Sequence, residues 1–207
     1  MIVYKYKSLG NSDCLLEREK QLSYLKDIYE NNRFYASDYN VLDDPMEGVF
    51  ESYNGLESDV VQKIIHGKID THICSLSPTY SSMLMWSFYA NYHKGYCVEA
   101  EIDENYLLNV LYDDSPIEIE SHNTSEDEKI KMILLRKYKD WAFEKELRVL
   151  CKERFVRISV KGIIFGVRVD DNLFEQLKDE IHAKAPNINV IKMRENMFKH
   201  IDTSDDK

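Results

Sequence analysis

Two glutamates and an arginine alternate with other residues in the apolar stretch WAFEKELRVL, residues 141–150. In a β-strand, successive side chains point to opposite faces, so Glu144, Glu146 and Arg148 would share one face. In a helix, Glu144 and Arg148 would form an ordinary i,i+4 ion pair. The apolar and β-branched residues that follow favour the strand, with Glu144 at its boundary with a preceding helix.

Adjacent carboxylates on one face repel each other, so a fold keeps them where they are solvated, paired with cations or functional. One interpretation is a surface ladder of ion pairs formed with Arg148 and neighbouring lysines. The other is an acid–base or ribose-binding pair of glutamates in a cleft. The residue types and their spacing alone favour the surface ladder of ion pairs over the pair of glutamates in a cleft.

The stretch DDPMEG, residues 43–48, supplies two further carboxylates, Asp44 and Glu47. A proline after two aspartates is typical of a turn, which Asp44 can cap. The two carboxylates could instead join Glu144 and Glu146 around a divalent ion, as in a metal-dependent hydrolase or nuclease. No zinc-ligand spacing, P-loop or Gly-x-Gly-x-x-Gly pattern is present, and no metal site is assigned.

A third set of candidates lies in CSLS and the apolar segment after it. Ser75 and Ser77 share one strand face, and Trp86, Tyr89 and His93 follow at helical spacing. Such an aromatic stripe is usually core, and this interpretation is favoured for Trp86. The stripe could instead form the wall of a pocket, with rings that stack on a base or a nicotinamide.

Many short strands with interspersed helices, without strict βαβ alternation, predict an α+β fold with mixed and antiparallel sheets. The segment MLMWSFYANYHK is apolar almost all round, which predicts a buried central helix. Ser125 and Glu128 fit a capping box, and the helix that they begin is expected to extend to about Asp140.

With 207 residues, 43% of them hydrophobic, the chain is expected to form a single domain over residues 1–207. Its four widely spaced cysteines are typical of free thiols in a reducing cytosol. No apolar run approaches the length of a membrane span, and the first residues lack the layout of a signal peptide. These observations predict a cytoplasmic protein without a membrane partner.

The formal charge of −10 is concentrated in one segment. Residues 99–128 contain eleven acidic residues and no lysine or arginine, which predicts a solvated, mobile surface. Non-specific DNA binding is disfavoured by the overall sign of the charge, because neutralisation of phosphates drives such binding.

In their order along the chain, the motifs RFYAS, LDDPMEG, CSLS, LMWSFYANYHKGYCVE and WAFEKELRVL resemble those of a bacterial family, the domain of unknown function 2971. The resemblance covers roughly Tyr4 to Phe165. Met46 stands where the family usually has phenylalanine. The family name itself implies no activity.

The same order of motifs is similar to that of ADP-ribosyltransferases, which have a basic residue on the first strand, a Ser-Thr-Ser-like strand and a late Glu-x-Glu strand. The resemblance implies NAD as the substrate. Glu146 would stabilise an oxocarbenium-like transition state and Glu144 would help to orient the acceptor. CSLS would supply Ser75 and Ser77, and the first strand offers Lys5 where these enzymes generally have arginine or histidine.

Three functions remain open at this stage. The first is an NAD-using ADP-ribosyltransferase or NAD glycohydrolase, such as a bacterial toxin or phage-defence effector that modifies a protein or nucleic acid. The second is a non-catalytic module of the same fold that binds a nucleotide or a protein, and the third is the metal-dependent hydrolase. In the first, the substrate pocket would also include residues from the turn, the aromatic stripe and the late strand, namely Asp44, Glu47, Trp86, Tyr89, His93 and Arg148.

Overall fold

A computed structural model describes residues 1–10, 14–52, 57–119 and 124–194. Within these residues there are five α-helices: α1 (Leu15–Asn31), α2 (Ser58–Ile69), α3 (Met83–Tyr89), α4 (Glu126–Leu134) and α5 (Asp171–Lys184). The strands in the same residues are β1 (Ile2–Lys7), β2 (Arg33–Tyr35), β3 (Ser37–Asp38), β4 (Phe50–Ser52), β5 (His72–Leu76), β6 (Tyr96–Glu101), β7 (Leu108–Asn109), β8 (Leu111–Asp113), β9 (Ile117–Ile119), β10 (Arg136–Tyr138), β11 (Leu147–Cys151), β12 (Phe155–Arg157), β13 (Ser159–Phe165) and β14 (Asn189–Lys192).

The strands form mixed and antiparallel sheets, which confirms the α+β class. The chain separates into two compact units, each assembled from segments that are not adjacent in sequence. Unit 1 comprises residues 1–33, 76–102 and the chain from 157 onward, and unit 2 comprises residues 34–75 and 103–156. The single domain over residues 1–207 stays a prediction.

Unit 1 is built on a four-stranded sheet in the order β1-β6-β13-β14. β6 pairs antiparallel with β1 and β13, and β14 joins β13 in parallel after α5 has crossed between them. Tyr96, Val98 and Ala100 alternate along β6 and are fully buried, and Cys97, which points to the opposite face, is buried as well. The sheet therefore forms the core of unit 1, together with apolar residues of α1 and α5.

Unit 2 contains a second four-stranded sheet, in the order β3-β5-β11-β7, and two pairs of parallel strands, β4 with β9 and β8 with β10. Helices α2 and α4 pack on each other, and Gly67 lies so close to Ile130 that a Cβ atom at the glycine would stand 2.2 Å from the Ile130 side chain. A buried aliphatic cluster fills this region; its members are Ile64, Ile73, Ile117, Ile119, Ile130, Ile133 and Leu134.

The prediction of a buried central helix over residues 83–94 is wrong. Helix α3 ends at Tyr89, and one side of it, with Met83, Leu84 and Phe88, is exposed. The residues that follow, Asn91, Tyr92 and His93, all have positive φ angles, which an α-helix cannot accommodate. The helix stops at this turn, and only Met85 and Trp86 of α3 are buried.

The capping box at Ser125 and Glu128 is confirmed, because each side chain bonds the other's backbone N–H. The expected extension of this helix to Asp140 is wrong, since α4 ends at Leu134 and β10 begins at Arg136. Within the acidic segment, residues 120–123 lie outside the described part of the chain. No helix in the described residues is long and apolar enough to cross a membrane.

Candidate functional site

The Glu-x-Glu-x-Arg stretch changes backbone conformation at its centre. Residues 139–144 form a 3₁₀-helix that ends at Glu144, and Lys145 follows in the left-handed region with φ of 47°. The strand β11 begins only at Leu147. The strand expected by Glu146 begins one residue later, and Glu144 lies at the end of a helix, as the sequence indicated. Glu144 and Glu146 nevertheless contact the same ammonium, that of Lys137.

Arg148 is the centre of a buried ion-pair network in unit 2 and is 0% exposed. Its Nη1 and Nη2 donate to the two carboxylate oxygens of Glu47 at 2.6 and 2.7 Å. Its Nε and Nη2 donate to the two oxygens of Glu146 at 2.9 and 3.0 Å. Nη1 also donates to the backbone carbonyl of Leu134 at 2.5 Å. One guanidinium thus holds two carboxylates in fixed positions.

Lys137 provides the second cation of the network. Its ammonium donates to Glu144 at 2.5 Å and to Glu146 at 3.3 Å, and it lies 4.8 Å from the centre of the Trp141 ring. Both glutamates and the lysine are buried. The interpretation of these residues as a surface ladder is therefore wrong: the pairing is correct, but the ladder is buried and its lysine comes from β10.

The network keeps Glu146 ionised. Burial alone would raise the pKa of its carboxyl, but the charge and hydrogen bonds of Arg148, followed by Lys137 and Ser75, outweigh burial and lower the pKa to about 2. Burial also dominates at Glu47, and there it raises the pKa in spite of Arg148. Among the described residues, Glu146 is the carboxylate of the network that pairs with both Arg148 and Lys137, so the surrounding charges stabilise it most clearly as an anion.

The turn at residues 43–48 delivers Glu47 to this network. Asp44 caps the turn as expected, because its Oδ1 accepts a hydrogen bond from the N–H of Met46 at 2.9 Å. Its Oδ2 accepts from the N–H of Tyr138 at 3.2 Å, which ties the turn to β10. Gly48 follows with φ of 72°. Asp44 thus has a structural role, while Glu47 pairs with Arg148.

Two further groups complete the surroundings of Glu146. The Ser75 side chain hydrogen-bonds the Glu146 carboxylate and helps to lower its pKa. The Tyr112 hydroxyl accepts a hydrogen bond from the backbone N–H of Glu146 at 2.7 Å, and burial raises the pKa of this tyrosine, so the hydroxyl stays neutral. Ser75 lies on β5, directly before residues that belong to unit 1.

The other predicted site residues belong to unit 1. Trp86 is fully buried and its Nε1 donates to the Tyr80 carbonyl at 2.6 Å, which confirms the core interpretation. The His93 ring stacks on Trp86 with centroids 6.2 Å apart, and burial, followed by the charge of Arg168, lowers its pKa. Ser77 is buried and bonds the backbone of Thr79.

Of the eleven predicted residues, six lie in unit 2 and five in unit 1. Those of unit 2 are Asp44, Glu47, Ser75, Glu144, Glu146 and Arg148; those of unit 1 are Lys5, Ser77, Trp86, Tyr89 and His93. Lys5 is a half-buried residue of β1 and Tyr89 is the half-buried last residue of α3. Arg148 joins Glu47 to Glu146, and Lys137 joins Glu144 to Glu146, so these side chains form one group, with Ser75 close to Glu146.

Lys137 and Tyr112 belong to the site and are not predicted by the sequence. The helix expected after Ser125 includes residue 137, whereas the structure places Lys137 on β10. The run RKY, which precedes Glu144 by only a few residues, shows that cations lie close in sequence to the two glutamates. Tyr112 lies in the acidic segment, where nothing in the sequence distinguishes it from other tyrosines.

The carboxylates of the network are poor candidates for a metal site, because cations of the chain already occupy their oxygens. No group of three or more His, Cys, Asp or Glu side chains in the described residues is placed to hold a metal ion. Protein-family models, curated proteins and solved structures were compared with the chain, and none matches. The resemblance to the domain of unknown function 2971 and to ADP-ribosyltransferases therefore stays a prediction.

Proposed function

We propose that this protein is an NAD-using ADP-ribosyltransferase-like enzyme in which Glu146 is the catalytic carboxylate. The observation that carries the proposal is the placement of Glu144 and Glu146 around the ammonium of Lys137, with Arg148 paired to Glu146 and with Ser75 close enough to help lower the pKa of Glu146. The resemblance implied roles for Ser75, Glu144 and Glu146 from motifs that lie about 70 residues apart in the sequence. Their convergence on one carboxylate supports the roles that the resemblance assigns.

The chemistry of the reaction requires an anion at this position. When the bond between nicotinamide and ribose breaks, its electron pair leaves with nicotinamide and positive charge develops on the ribose. An ionised carboxylate stabilises that charge, and a pKa of about 2 keeps Glu146 ionised throughout the neutral range. Arg148 and Ser75 hold the carboxylate in one orientation, so no reorganisation is needed as the charge develops.

The network also suggests how a substrate would be accommodated. The contact between Lys137 and Glu146, at 3.3 Å, is the longest ion-pair contact that Glu146 makes. In our proposal a ribose hydroxyl replaces this contact, while Lys137 keeps its 2.5 Å bond to Glu144. Glu144 then orients the nucleophile, which is water in a glycohydrolase or an acceptor group of a protein or nucleic acid in a transferase.

A second function is favoured by a different observation. Glu146 is 5% exposed and both of its oxygens accept hydrogen bonds from Arg148, as expected for a pair that only stabilises the core of unit 2. On this alternative the protein is a non-catalytic module that binds a nucleotide or a protein.

The test is nicotinamide release from NAD by the purified protein, with and without cell lysate, beside Glu146→Gln and Glu47→Gln. Both substitutions remove one carboxylate from Arg148, so Glu47→Gln controls for the structural effect. We expect Glu146→Gln to reduce kcat by about 10²–10³-fold, since this is the usual loss for one preorganised electrostatic group. Glu47→Gln should retain most of the rate when both variants are folded.

The outcomes separate the two functions. Release that needs Glu146 and does not need lysate would indicate a glycohydrolase, and release that needs lysate would indicate a transferase. Equal rates for wild type and folded Glu146→Gln would refute the catalytic role. No release by the folded wild type, with lysate present, would favour the non-catalytic module.

A further inference from the structure

Unit 1 has a cleft of its own, of about 490 Å³, that does not involve the glutamate network. Its walls come from four places: the residues after β1, the first turn of α1, the turn after α3, and the loop that enters α5. Elements distant in sequence therefore contribute to one concave surface.

Three cations from distant parts of the chain line this cleft: Arg18 lies in α1, Lys94 lies in the turn after α3, and Arg168 lies in the loop before α5. Among the described residues, none of the three side chains forms an ion pair with a carboxylate, although the chain carries 37 acidic residues. Two acids, Glu17 and Asp170, also line the cleft, and Asp170 is already the N-cap of α5. The cleft thus has a net positive lining in a chain of net charge −10.

The turn that supplies Lys94 has a strained backbone. Asn91, Tyr92 and His93 have φ angles of 46°, 53° and 69°, so three successive non-glycine residues are left-handed. Such conformations are costly and are concentrated at functional sites. The Asn91 side chain donates to the Gly10 carbonyl at 3.1 Å, which fixes this turn against the residues that follow β1.

The same turn also borders an aromatic groove of about 330 Å³, which shares Ser8 and Asn91 with the cleft. Phe88, Tyr89 and Tyr92 line this groove, and Phe88 and Tyr92 are 62% and 67% exposed. Arg168 donates to the Tyr92 carbonyl at 3.4 Å, so the cation lies next to the residue that carries the exposed ring. Exposed aromatic rings next to cations that have no carboxylate partner in the described residues match the two parts of a nucleotide, because bases stack on rings and phosphates pair with lysine and arginine.

We propose that this cleft and groove bind a nucleoside phosphate. Arg18, Lys94 and Arg168 would hold the phosphate groups, and the ring of Tyr92 would stack on the base. The site lies within unit 1, and the proposal does not rest on the NAD reaction proposed for Glu146.

The experiment measures binding of ATP, AMP, adenosine and inorganic phosphate to the full chain by titration calorimetry. We expect affinity to decrease from ATP to AMP to adenosine and to weaken as salt is raised. Arg168→Gln should weaken ATP binding about tenfold, as loss of one charged hydrogen bond does. Lys184→Gln is the matched control, because Lys184 is an exposed cation of α5 that does not line the cleft.

A second pair of variants tests the aromatic groove. Tyr92→Ala should weaken ATP binding about tenfold, as loss of one stacked ring does, and should leave binding of inorganic phosphate unchanged. Tyr106→Ala, which removes an equally exposed tyrosine of unit 2, should have no effect. ATP should bind normally to Glu146→Gln, so a failure here is distinguishable from a failure of the proposed reaction.

Several results would overturn the proposal. These are no ATP binding at millimolar concentration, adenosine binding as tightly as ATP, or an Arg168→Gln protein that behaves like Lys184→Gln. Tighter binding of a single-stranded oligonucleotide than of ATP would replace the small ligand by a nucleic acid.

Discussion

Substitution of Arg148 by methionine tests whether the buried network behaves as an ion-pair core. Methionine is unbranched and uncharged, so the variant keeps much of the side-chain volume and removes all the hydrogen bonds of the guanidinium. Two of these go to Glu47, two to Glu146 and one to the carbonyl of Leu134. Both carboxylates would then remain buried without their principal cation.

We expect Arg148→Met to lower the free energy of unfolding by about 3–5 kcal/mol at pH 7, the usual cost of removing one partner from a buried ion pair. This is a large part of the 5–15 kcal/mol that stabilises a typical domain. The pH dependence gives a second signature. Without Arg148, burial raises the pKa of Glu47 and Glu146 above their values in the unfolded chain, so the folded variant gains stability as the pH falls and they take up protons.

The wild type responds in the opposite direction through Glu146. Its carboxyl pKa is about 2 when folded and near 4.5 when unfolded, so it contributes stability above pH 4.5 that is lost as the pH falls toward 2. The amount is about 3 kcal/mol. The difference in the free energy of unfolding between Arg148→Met and the wild type should therefore become smaller as the solution is acidified.

The assay is urea unfolding followed by circular dichroism at pH 7 and pH 5. Arg154→Met is the control, because Arg154 pairs with Asp38 at 2.8 Å in the same unit but is 45% exposed. Loss of such a surface pair should lower the free energy of unfolding by less than about 1 kcal/mol. The buried network would not behave as an ion-pair core if Arg148→Met and Arg154→Met lowered the free energy of unfolding equally. The same conclusion would follow if Arg148→Met lowered it by the same amount at both pH values.

Two further predictions concern local structure. Ser125→Ala removes the Oγ atom that accepts the hydrogen bond from the N–H of Glu128, although the N–H of residue 125 can still donate to the Glu128 side chain. It should lower the free energy of unfolding by about 1 kcal/mol in urea, whereas Ser125→Asp should retain most of the stability. Gly166→Ala would place a Cβ atom 2.1 Å from the backbone carbonyl of His93, so the backbone must move and the melting temperature should fall by several degrees. Gly162→Ala, whose nearest atom would be 3.3 Å away, should lower it less; similar melting temperatures for the two alanine variants would contradict this account.

Local signals predicted several elements. β1 and β5 lie where the sequence places the first strand, which carries Lys5, and the strand that carries Ser75. The capping box also predicted the start of α4, since its two hydrogen bonds depend only on residues three apart. These signals are local, and they require no knowledge of the rest of the chain.

The errors occurred where non-local contacts or unusual backbone angles override local preference. Nothing in MLMWSFYANYHK indicates that three residues after α3 adopt left-handed angles. The left-handed Lys145 similarly separates Glu144 from the strand. The burial of Arg148 follows from its bond to Glu47, which is 101 residues away in sequence, and spacing within one motif cannot reveal such a partner.

The discontinuous construction of both units has a consequence for how the chain folds during synthesis. Residues 76–102 of unit 1 interrupt unit 2, and the second segment of unit 2 interrupts unit 1. β6 is flanked in its sheet by β1 and β13, so one of its edges remains unpaired until residues 159–165 have left the ribosome. Folding that depends on such distant pairings is slow and leaves strand edges open to aggregation. We therefore expect both units to complete their folding late, and the nascent chain to depend on chaperones that shield its unpaired strands.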